Sequence, residues 1–400
     1  MLNEREQRTG ILVNCGVFFV ILTCFSIPLS TSLMGLSSSL VLLFWILSGR
    51  FFKLPQLLST SPVALLSFIL FILFIVGMSY SPVSYEESFK TLLKYRELLL
   101  IPAVISLMQG NRKGIQAAKD GFVTGCILLL LISYGIYFSI IPSERYGCSI
   151  LYHITHSFFM AVLAFWTAHR AFDSKQYQYF WIIIFLLTAG NLIYVTPGRT
   201  GMLIFILLML LLVIQRLSWK QQLIGLFILS SLFSTAYFAS ENVSTRLNNG
   251  WTEIKNYKHG KARTSLGQRL DWYTNSIDLL KQKPFFGHGT GSFMIVQKKV
   301  VESRVTKKTD NPHNEYLFIG VQLGWVGLTI FLLLLGIQWI QSFNLSSRNK
   351  WLAQGIILSM ATGCTMNSFL FDAHQGHYFA LLTGIFFSII RHPHPSLTFR

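Results

Sequence analysis

The fold is decided by residues 316–341, which read YLFIGVQLGWVGLTIFLLLLGIQWIQ. These 26 residues contain no charged side chain. At about 1.5 Å per residue, a helix of this length crosses the roughly 30 Å hydrocarbon core of a bilayer. Long apolar runs recur along the 400-residue chain, whose mean hydropathy is +0.51. The sequence therefore predicts a polytopic membrane protein and not a large soluble α-protein.

The composition favours a helical membrane protein over a barrel. Hydrophobic residues make up 52% of the chain and charged residues only 12%, whereas about 25% charged is typical of soluble domains. Spanning segments must satisfy their own backbone hydrogen bonds, which helices do within one segment. A membrane barrel would show short segments of alternating hydrophobicity, and these runs do not alternate. The predicted fold class is all-α.

About twelve transmembrane helices are predicted from the apolar segments. The fourth is interrupted by Lys94, Arg96 and Glu97. The twelve segments lie at 11–29, 31–48, 62–79, 91–108, 120–141, 155–170, 179–196, 200–215, 221–239, 316–341, 351–370 and 376–390.

Orientation follows from the distribution of Lys and Arg in the short loops. With a cytoplasmic N-terminus, the inner loops hold fifteen basic residues and the short outer loops only three. Both termini are therefore predicted to be cytoplasmic. The chain then divides into spans one to nine (1–239), one large periplasmic loop domain (240–315), and spans ten to twelve with a short cytoplasmic tail (316–400).

The predicted outer loop is basic and partly helical. Apolar residues recur at helical spacing over residues 266–283, which predicts an amphipathic helix. The loop holds thirteen Lys/Arg against seven Asp/Glu, although topology demands no positive charge on this face. The excess favours an anionic partner, such as lipid phosphates, a diphosphate or an acidic glycan. A generically solvated basic loop is the alternative, and nucleic acid is not expected there.

Three polar side chains on the outer face stand out. Arg199 lies in the tight turn 196–201 between predicted spans seven and eight, and Arg269 lies on the predicted loop helix. His313 lies in Pro312-His313-Asn314-Glu315-Tyr316, immediately before span ten. Arginine forks pair with phosphate oxygens, and a histidine near neutral pKa can accept a proton from a hydroxyl. The set predicts a site for a lipid-linked diphosphate.

Each of these residues also has a structural explanation. Arg199 is in a position typical of an arginine that anchors a helix at the membrane boundary. Arg269 has two carboxylates on its own helix as possible partners, Asp271 and Asp278. A single loop histidine such as His313 is most often structural.

Further residues are candidates for supporting roles. Asn314 adjoins the histidine, and Glu315 is expected either to orient His313 or to pair with a loop arginine. Arg145, in the third outer loop, is a candidate for the same anionic site.

Ionisable residues near a membrane segment are functional candidates by default. Lys94 and Arg96 are therefore candidates for lining a groove for the lipid substrate. A local Lys94–Glu97 pair is the alternative.

No metal or cofactor is predicted. His153 and His156 share one helical face, as do His374 and His377, but neither pair has an evident third ligand. The five cysteines form neither a disulfide framework nor a Cys/His metal spacing.

The segment around the histidine resembles a known family. His313-Asn314, nine further residues, Gly324, two residues and Gly327 are similar to the His-Asn-x9-Gly-x-x-Gly pattern of the bacterial O-antigen ligases. The stretch 199–203 resembles the Arg-x3-Leu element of that family. The order Gln268-Arg269, Trp272, Pro284 and Gly287-x-Gly289 resembles the segment before the histidine in the wider ligase/polymerase superfamily.

The resemblance implies a GT-C-like glycosyltransferase of the bacterial inner membrane. Such a ligase transfers a glycan from undecaprenyl diphosphate to a sugar hydroxyl of lipid A–core oligosaccharide, at the periplasmic face, with inversion and without metal. On this chain, His313 would be the general base, and Arg199 and Arg269 would hold the diphosphate. The implied partners are the undecaprenyl-diphosphate-linked glycan, the lipid A–core acceptor and membrane lipids.

Three alternatives stay open. An O-antigen polymerase joins repeat units on undecaprenyl diphosphate and shares most of these features. A protein-glycosylating oligosaccharyltransferase of the same superfamily is expected to carry a long additional C-terminal part. A lipid-linked glycan transporter without chemistry is the alternative from another class, but transporters place their polar sites near the bilayer midplane.

Overall fold

The computed structural model describes residues 2–142, 146–196, 198–239, 241–258, 264–304 and 307–390. These residues form α-helices, two short 3-10 turns and one π-helical turn, and they include no strand. The helices are α1 (Leu2–Ser26), α2 (Thr31–Leu47), α3 (Leu54–Thr60), α4 (Pro62–Met78), α5 (Tyr85–Lys94), α6 (Leu100–Met108), α7 (Arg112–Tyr137), α8 (His153–Asp173), α9 (Gln178–Gly190), α10 (Arg199–Arg216), α11 (Trp219–Ala239), α12 (Glu241–Lys258), α13 (Ser265–Gln282), α14 (Phe293–Arg304), α15 (Glu315–Ser342), α16 (Ser347–Met366) and α17 (Ala373–Phe387).

The architecture is that of an all-helical, multi-pass membrane protein. Within the described residues, five helices are long and apolar enough to cross a membrane, or six if α2 and the bent segment Arg50–Thr60 form one span. The five lie at Thr9–Ser26, Arg112–Tyr137, Gln178–Val195, Arg199–Arg216 and Glu315–Ser342. A single helix coincides with each of the twelve predicted segments except the fourth, and the count of twelve spans stays a prediction.

Polar side chains set the beginning of several helices. Ser61 accepts a hydrogen bond from the Ala64 N–H at the start of α4, where Pro62 occupies the first turn. Thr264 caps α13 through the Gly267 N–H, and Asn314 caps α15 through the Leu317 N–H at 3.0 Å. Each cap satisfies a backbone donor that the helix itself leaves open.

The predicted fourth span is not one continuous helix. Its charged residues lie at a break: α5 ends at Lys94, a 3-10 turn covers Arg96–Leu99, and α6 begins at Leu100. The nine residues of α6 are all buried, whereas α5 is amphipathic and largely exposed. The polar residues therefore sit where an outer amphipathic helix meets a buried one.

The predicted loop domain forms three helices, α12 to α14. The amphipathic helix predicted at 266–283 is confirmed as α13, which packs against α15. Leu279 of α13, Phe293 of α14, and Phe318 and Val321 of α15 belong to one small hydrophobic cluster. This contact brings Arg269 on α13 close to the segment that carries His313.

Helix α15 is broken at Gly324, whose φ of 65° and ψ of −162° are not helical. The break exposes backbone groups that the loop 284–289 satisfies. The Trp325 and Val326 N–H groups donate to the carbonyls of Pro284 and Phe285 at 2.7 and 3.2 Å. In the opposite direction, the N–H groups of residues 288 and 289 donate to the carbonyls of residues 321 and 322, both at 2.8 Å.

Glycines are required on both sides of this junction. A Cβ on Gly324 would lie 2.3 Å from the Phe285 carbonyl oxygen, and one on Gly287 would lie 2.5 Å from the Gln322 carbonyl carbon. Both residues have positive φ, which side chains disfavour. Thr290 then ties the loop to α4 through its N–H, which donates to the Gly77 carbonyl at 3.0 Å.

Candidate active site

The N-terminus of α10 packs unusually close to α8. A Cβ on Gly198 or Gly201 would lie within 2.4 Å of the Ser157 hydroxyl oxygen. These glycines therefore allow α10 to begin directly against α8 and fix Arg199 at the first helical position. Gly198 provides no side-chain cap, and the open N–H groups of a helix N-terminus favour a bound anion.

Arg199 forms an ion pair with Glu253 of α12. The guanidinium nitrogen lies 2.9 Å from Glu253 Oε1, and Oε2 accepts the Leu266 N–H at 2.8 Å. Burial raises the pKa of the Glu253 carboxyl, but the hydrogen bonds from Arg199 and the Leu266 N–H outweigh it, so the pKa lies below its usual value. The carboxylate thus holds α10, α12 and the start of α13 together.

Arg269 is the second cation of this cluster. Burial lowers the pKa of its guanidinium, and the neighbouring Arg199 charge lowers it further, whereas Tyr273, Tyr152 and Glu253 raise it. An arginine nevertheless stays charged at any physiological pH. The structure records no ion pair to Arg269 among the residues it describes: the predicted partner Asp278 instead lies 3.5 Å from Lys281.

His313 lies in a strained backbone conformation next to Arg269. Its φ of 54° is left-handed, and its N–H donates to Asn311 Oδ1 at 2.7 Å. The ring packs against the Trp272 indole, with centroids 5.3 Å apart. Burial lowers the pKa of the His313 imidazole and the Arg269 charge lowers it further, while Asp310 raises it. The ring is therefore neutral near pH 7 and able to accept a proton.

Tyr273 connects the histidine segment with α16. Its hydroxyl lies 3.1 Å from the His313 carbonyl oxygen and 2.9 Å from that of Thr365. Asn314 Nδ2 also donates to the Thr365 carbonyl, at 3.1 Å. Asn314 therefore has a positioning role here, because it caps α15 with its oxygen and holds the end of α16 with its nitrogen.

Glu315 does not contact His313, contrary to one expectation from the sequence. Its carboxylate is fully buried and accepts the Tyr95 hydroxyl at 2.9 Å and the N–H groups of Leu370 and Phe371 at 2.9 and 3.1 Å. No ion pair to a loop arginine is recorded among the described residues. Helix geometry explains the difference, because Glu315 begins α15 and points into the bundle while His313 precedes it.

Lys94 and Arg96 lie near the site but not in it. The Lys94 ammonium is 5.8 Å from the centre of the Phe371 ring, and Arg96 donates to the Leu93 carbonyl. The alternative Lys94–Glu97 pair does not form: Glu97 is buried and lies 3.2 Å from His377 Nδ1. Arg145 lies outside the described residues.

The two histidine pairs have structural partners. His156 is hydrogen-bonded to Ser149 and Asn191, and His374 to Thr31 and the Ile27 carbonyl. Within the described ranges, no three His, Cys, Asp or Glu side chains converge as a metal site. Metal independence remains a prediction.

The segment that carries these residues is similar to a known family. Residues 183–332 match the family model described as O-antigen ligase. The match covers 150 of the 400 residues. The matched range contains Arg199, Glu253, Arg269, His313 and Gly324. It therefore holds the whole cluster except Tyr152 and the end of α16.

Two further similarities were found. An uncharacterized protein of Haemophilus influenzae is 31% identical over 123 residues, which cover 29% of this chain and 31% of that protein. The chain thus matches about a third of that relative's length. A chain from a solved structure of a peptidoglycan synthase complex aligns with 82% of this chain and 95% of its own, at 15% identity and a TM-score of 0.47.

Reasoning from the sequence missed Glu253, Tyr273 and Thr365. Tyr273 was recognisable only as part of the apolar face of a helix, and Glu253 as one of seven acidic residues in a basic loop. Thr365 acts through its backbone carbonyl, which no sequence pattern reveals.

Proposed function

We propose that this protein is a glycosyltransferase that moves a glycan from a lipid-linked diphosphate to a sugar hydroxyl, in the manner of an O-antigen ligase. The observation that carries the proposal is the position of Arg269, which is close enough to influence both Arg199 and His313. Two cations and one neutral imidazole therefore lie in one electrostatic cluster. The pairing fits a reaction in which an anion leaves while a hydroxyl loses its proton.

In this reaction, a ring nitrogen of His313 accepts the proton of the acceptor hydroxyl. The acceptor oxygen attacks the anomeric carbon from the side opposite the diphosphate. The bond between that carbon and the phosphate oxygen breaks, its electron pair stays with the diphosphate, and the configuration inverts. The new bond thus forms without an enzyme nucleophile.

Arg199 and Arg269 would stabilise the leaving diphosphate as its negative charge grows. Glu253 now neutralises Arg199, so a bound diphosphate would compete with this carboxylate for the guanidinium. Arg269, without a recorded carboxylate partner in the described part of the chain, is free to pair with a phosphate at once. Protonation of His313 beside Arg269 is unfavourable because two positive charges repel each other. The negative charge of the departing diphosphate offsets this repulsion.

The proposed substrates are undecaprenyl-diphosphate glycan as donor and lipid A–core as acceptor, with the site on the periplasmic face of the bacterial inner membrane and both termini inside. The support is the family match together with the basic excess of the loop that carries the cluster. The predicted domain boundaries, 1–239, 240–315 and 316–400, belong to the same proposal.

The test is reconstitution of the purified protein with both substrates in the presence of a chelator. Glycan on lipid A–core supports the ligase reaction. Longer glycan still on undecaprenyl diphosphate would support a polymerase, and no covalent product at all would support the transporter. Activity that the chelator abolishes would refute metal independence.

Substitution of the histidine tests the assigned base. His313→Ala should slow transfer by about 10²- to 10⁴-fold, which is the usual contribution of a general base, while its melting temperature stays close to that of the unmodified protein. A folded His313→Ala protein with full activity would refute the role of the base.

A further inference from the structure

A second polar site lies at the opposite end of the bundle. α8 contains 21 residues and so runs about 30 Å from the neighbourhood of Arg269 to its last residue. There, between α7, α8 and α16, lies a cavity of about 190 Å³. This is roughly 13 to 19 times the space that one water molecule needs.

The cavity is lined by charged side chains with a positive excess. The relevant lining residues are Lys119, Arg170, Arg348, Asp120, Asp173 and Trp166. Arg216 lies behind them and pairs with Asp173 at 2.8 Å. Four cations therefore face two carboxylates in this cluster.

The two carboxylates are already fully engaged. Asp120 pairs with Arg170 at 2.5 Å and accepts a hydrogen bond from Gln116 at 2.9 Å. Asp173 pairs with Arg216 through one oxygen and with Arg348, at 2.7 Å, through the other. Little acceptor capacity remains for the other donors of the cavity.

One donor at the cavity has no recorded acceptor, and another uses only part of its capacity. The Lys119 ammonium has three protons, but its recorded hydrogen bond is to Asn349 at 3.1 Å. The Trp166 indole is 1% exposed, and its Nε1, which can only donate, has no recorded partner. A buried donor without a partner costs free energy. The charge of Asp120 attracts the Lys119 ammonium, whereas the charges of Arg170 and Arg348 repel it.

We propose that this cavity binds a phosphate group, held by Lys119, Arg348 and the Trp166 N–H. A phosphate supplies acceptor oxygens to the unpaired donors and charge to offset the excess of cations. Arg348 is exposed at the rim, which leaves a path from the surface. The charge bias of the loops predicts that this end is cytoplasmic. The phosphate is carried either by a phospholipid headgroup of that leaflet or by a free ion, since basic pockets between helices suit both.

The site is independent of glycan transfer, and binding can therefore be tested without substrates. The melting temperature of the full-length protein in detergent is measured against increasing dihexanoyl phosphatidylglycerol. Dihexanoylglycerol, which has the same tails and no phosphate, is the matched ligand. Inorganic phosphate is titrated in parallel against chloride at equal ionic strength.

We expect the phosphatidylglycerol to stabilise the protein and dihexanoylglycerol not to. Lys119→Gln should weaken binding and raise the half-saturating concentration of the ligand roughly tenfold or more, because it removes a charge-assisted hydrogen bond. Lys113→Gln, on the same helix but exposed, should not. If inorganic phosphate also stabilises the protein and Lys119→Gln weakens this effect, a free phosphate ion is sufficient for binding. If only the phospholipid stabilises the protein, the ligand is a lipid headgroup.

Two further variants keep the test decisive if Lys119→Gln does not fold. Trp166→Phe retains an aromatic ring and removes the N–H donor together with part of the indole volume, and Arg348→Gln changes an exposed side chain. Both should weaken binding, whereas His313→Ala, at the other end of the bundle, should not. The proposal would be overturned if dihexanoyl phosphatidylglycerol and dihexanoylglycerol stabilise the protein equally. It would also be overturned if Trp166→Phe and Arg348→Gln bind the phospholipid as well as the control variant Lys113→Gln does.

Discussion

Replacing Gly324 by alanine tests whether the break in α15 is an essential part of the fold. A Cβ there would lie 2.3 Å from the Phe285 carbonyl oxygen and 2.6 Å from the Phe286 nitrogen. Both are backbone atoms, which cannot move away as the end of a flexible side chain can. The loop 284–289 would have to separate from α15.

The cost can be worked out from this geometry. A side chain at a φ of 65° and a ψ of −162° costs about 1–3 kcal/mol. Separation of the loop at Phe285 and Phe286 would break the hydrogen bonds that Trp325 and Val326 donate to it, at about 1 kcal/mol each. We expect Gly324→Ala to lower the free energy of unfolding by about 3–5 kcal/mol. Transfer should slow as well, because the loop continues directly from α13, which carries Arg269.

Thermal unfolding of the purified protein in detergent measures the loss. Gly336→Ala is a matched control, since it lies on the same helix and a Cβ there would meet nothing within 4 Å. It should be neutral or stabilising by up to about 1 kcal/mol, because alanine favours a helix over glycine. Equal melting temperatures for the two variants would refute the reasoning about the break.

Two predictions concern the ionisable residues of the site. Burial and Arg269 hold the pKa of His313 below 6.5, so the rate of transfer should fall only as the pH drops below 6.5. Arg269→Gln should raise the pKa of His313 and move the acid limb of the rate profile to higher pH. Lys298→Gln, which changes an exposed lysine, should leave that limb unchanged. If the acid limb of the rate profile does not move in Arg269→Gln, Arg269 does not influence the pKa of His313. Glu315→Ala should lower the free energy of unfolding by about 3 kcal/mol or more, because three donors, two of them buried, lose their acceptor. Glu315→Gln should lower it less. An unchanged melting temperature of Glu315→Ala would show that the carboxylate does not hold the bundle.

The sequence was most informative where one physical requirement dominates. Long apolar runs predict helices because lipid leaves no other way to satisfy the backbone, and a single helix is found at every predicted segment except 91–108. The helical spacing of apolar residues over 266–283 predicted α13, because such spacing places them on one face that can be buried. The sequence was less informative at 91–108, where hydropathy alone could not distinguish one span from an amphipathic helix followed by a buried one.

Site contacts were predictable only in part, because they depend on which segments meet. Arg199, Arg269 and His313 were selected for their chemistry, and the fold brings them into one cluster. The direction of Glu315 was not predictable, since residues 313 and 315 lie on one face of an extended chain and diverge once a helix begins between them. The Asn314 cap places that transition between the two residues.

The pattern of His313-Asn314 followed by Gly324 and Gly327 thus joins two different requirements in one helix. The histidine end carries the proposed chemistry: burial and the Arg269 charge lower the pKa of the His313 ring and keep it neutral. The glycine end is structural, because only a residue without a side chain lets the loop 284–289 bond to the open backbone of α15. Since that loop follows α13 directly, the position of Arg269 relative to His313 depends on a junction that lies about three helical turns away along α15. Substitutions at the glycines should therefore affect transfer without touching the substrate.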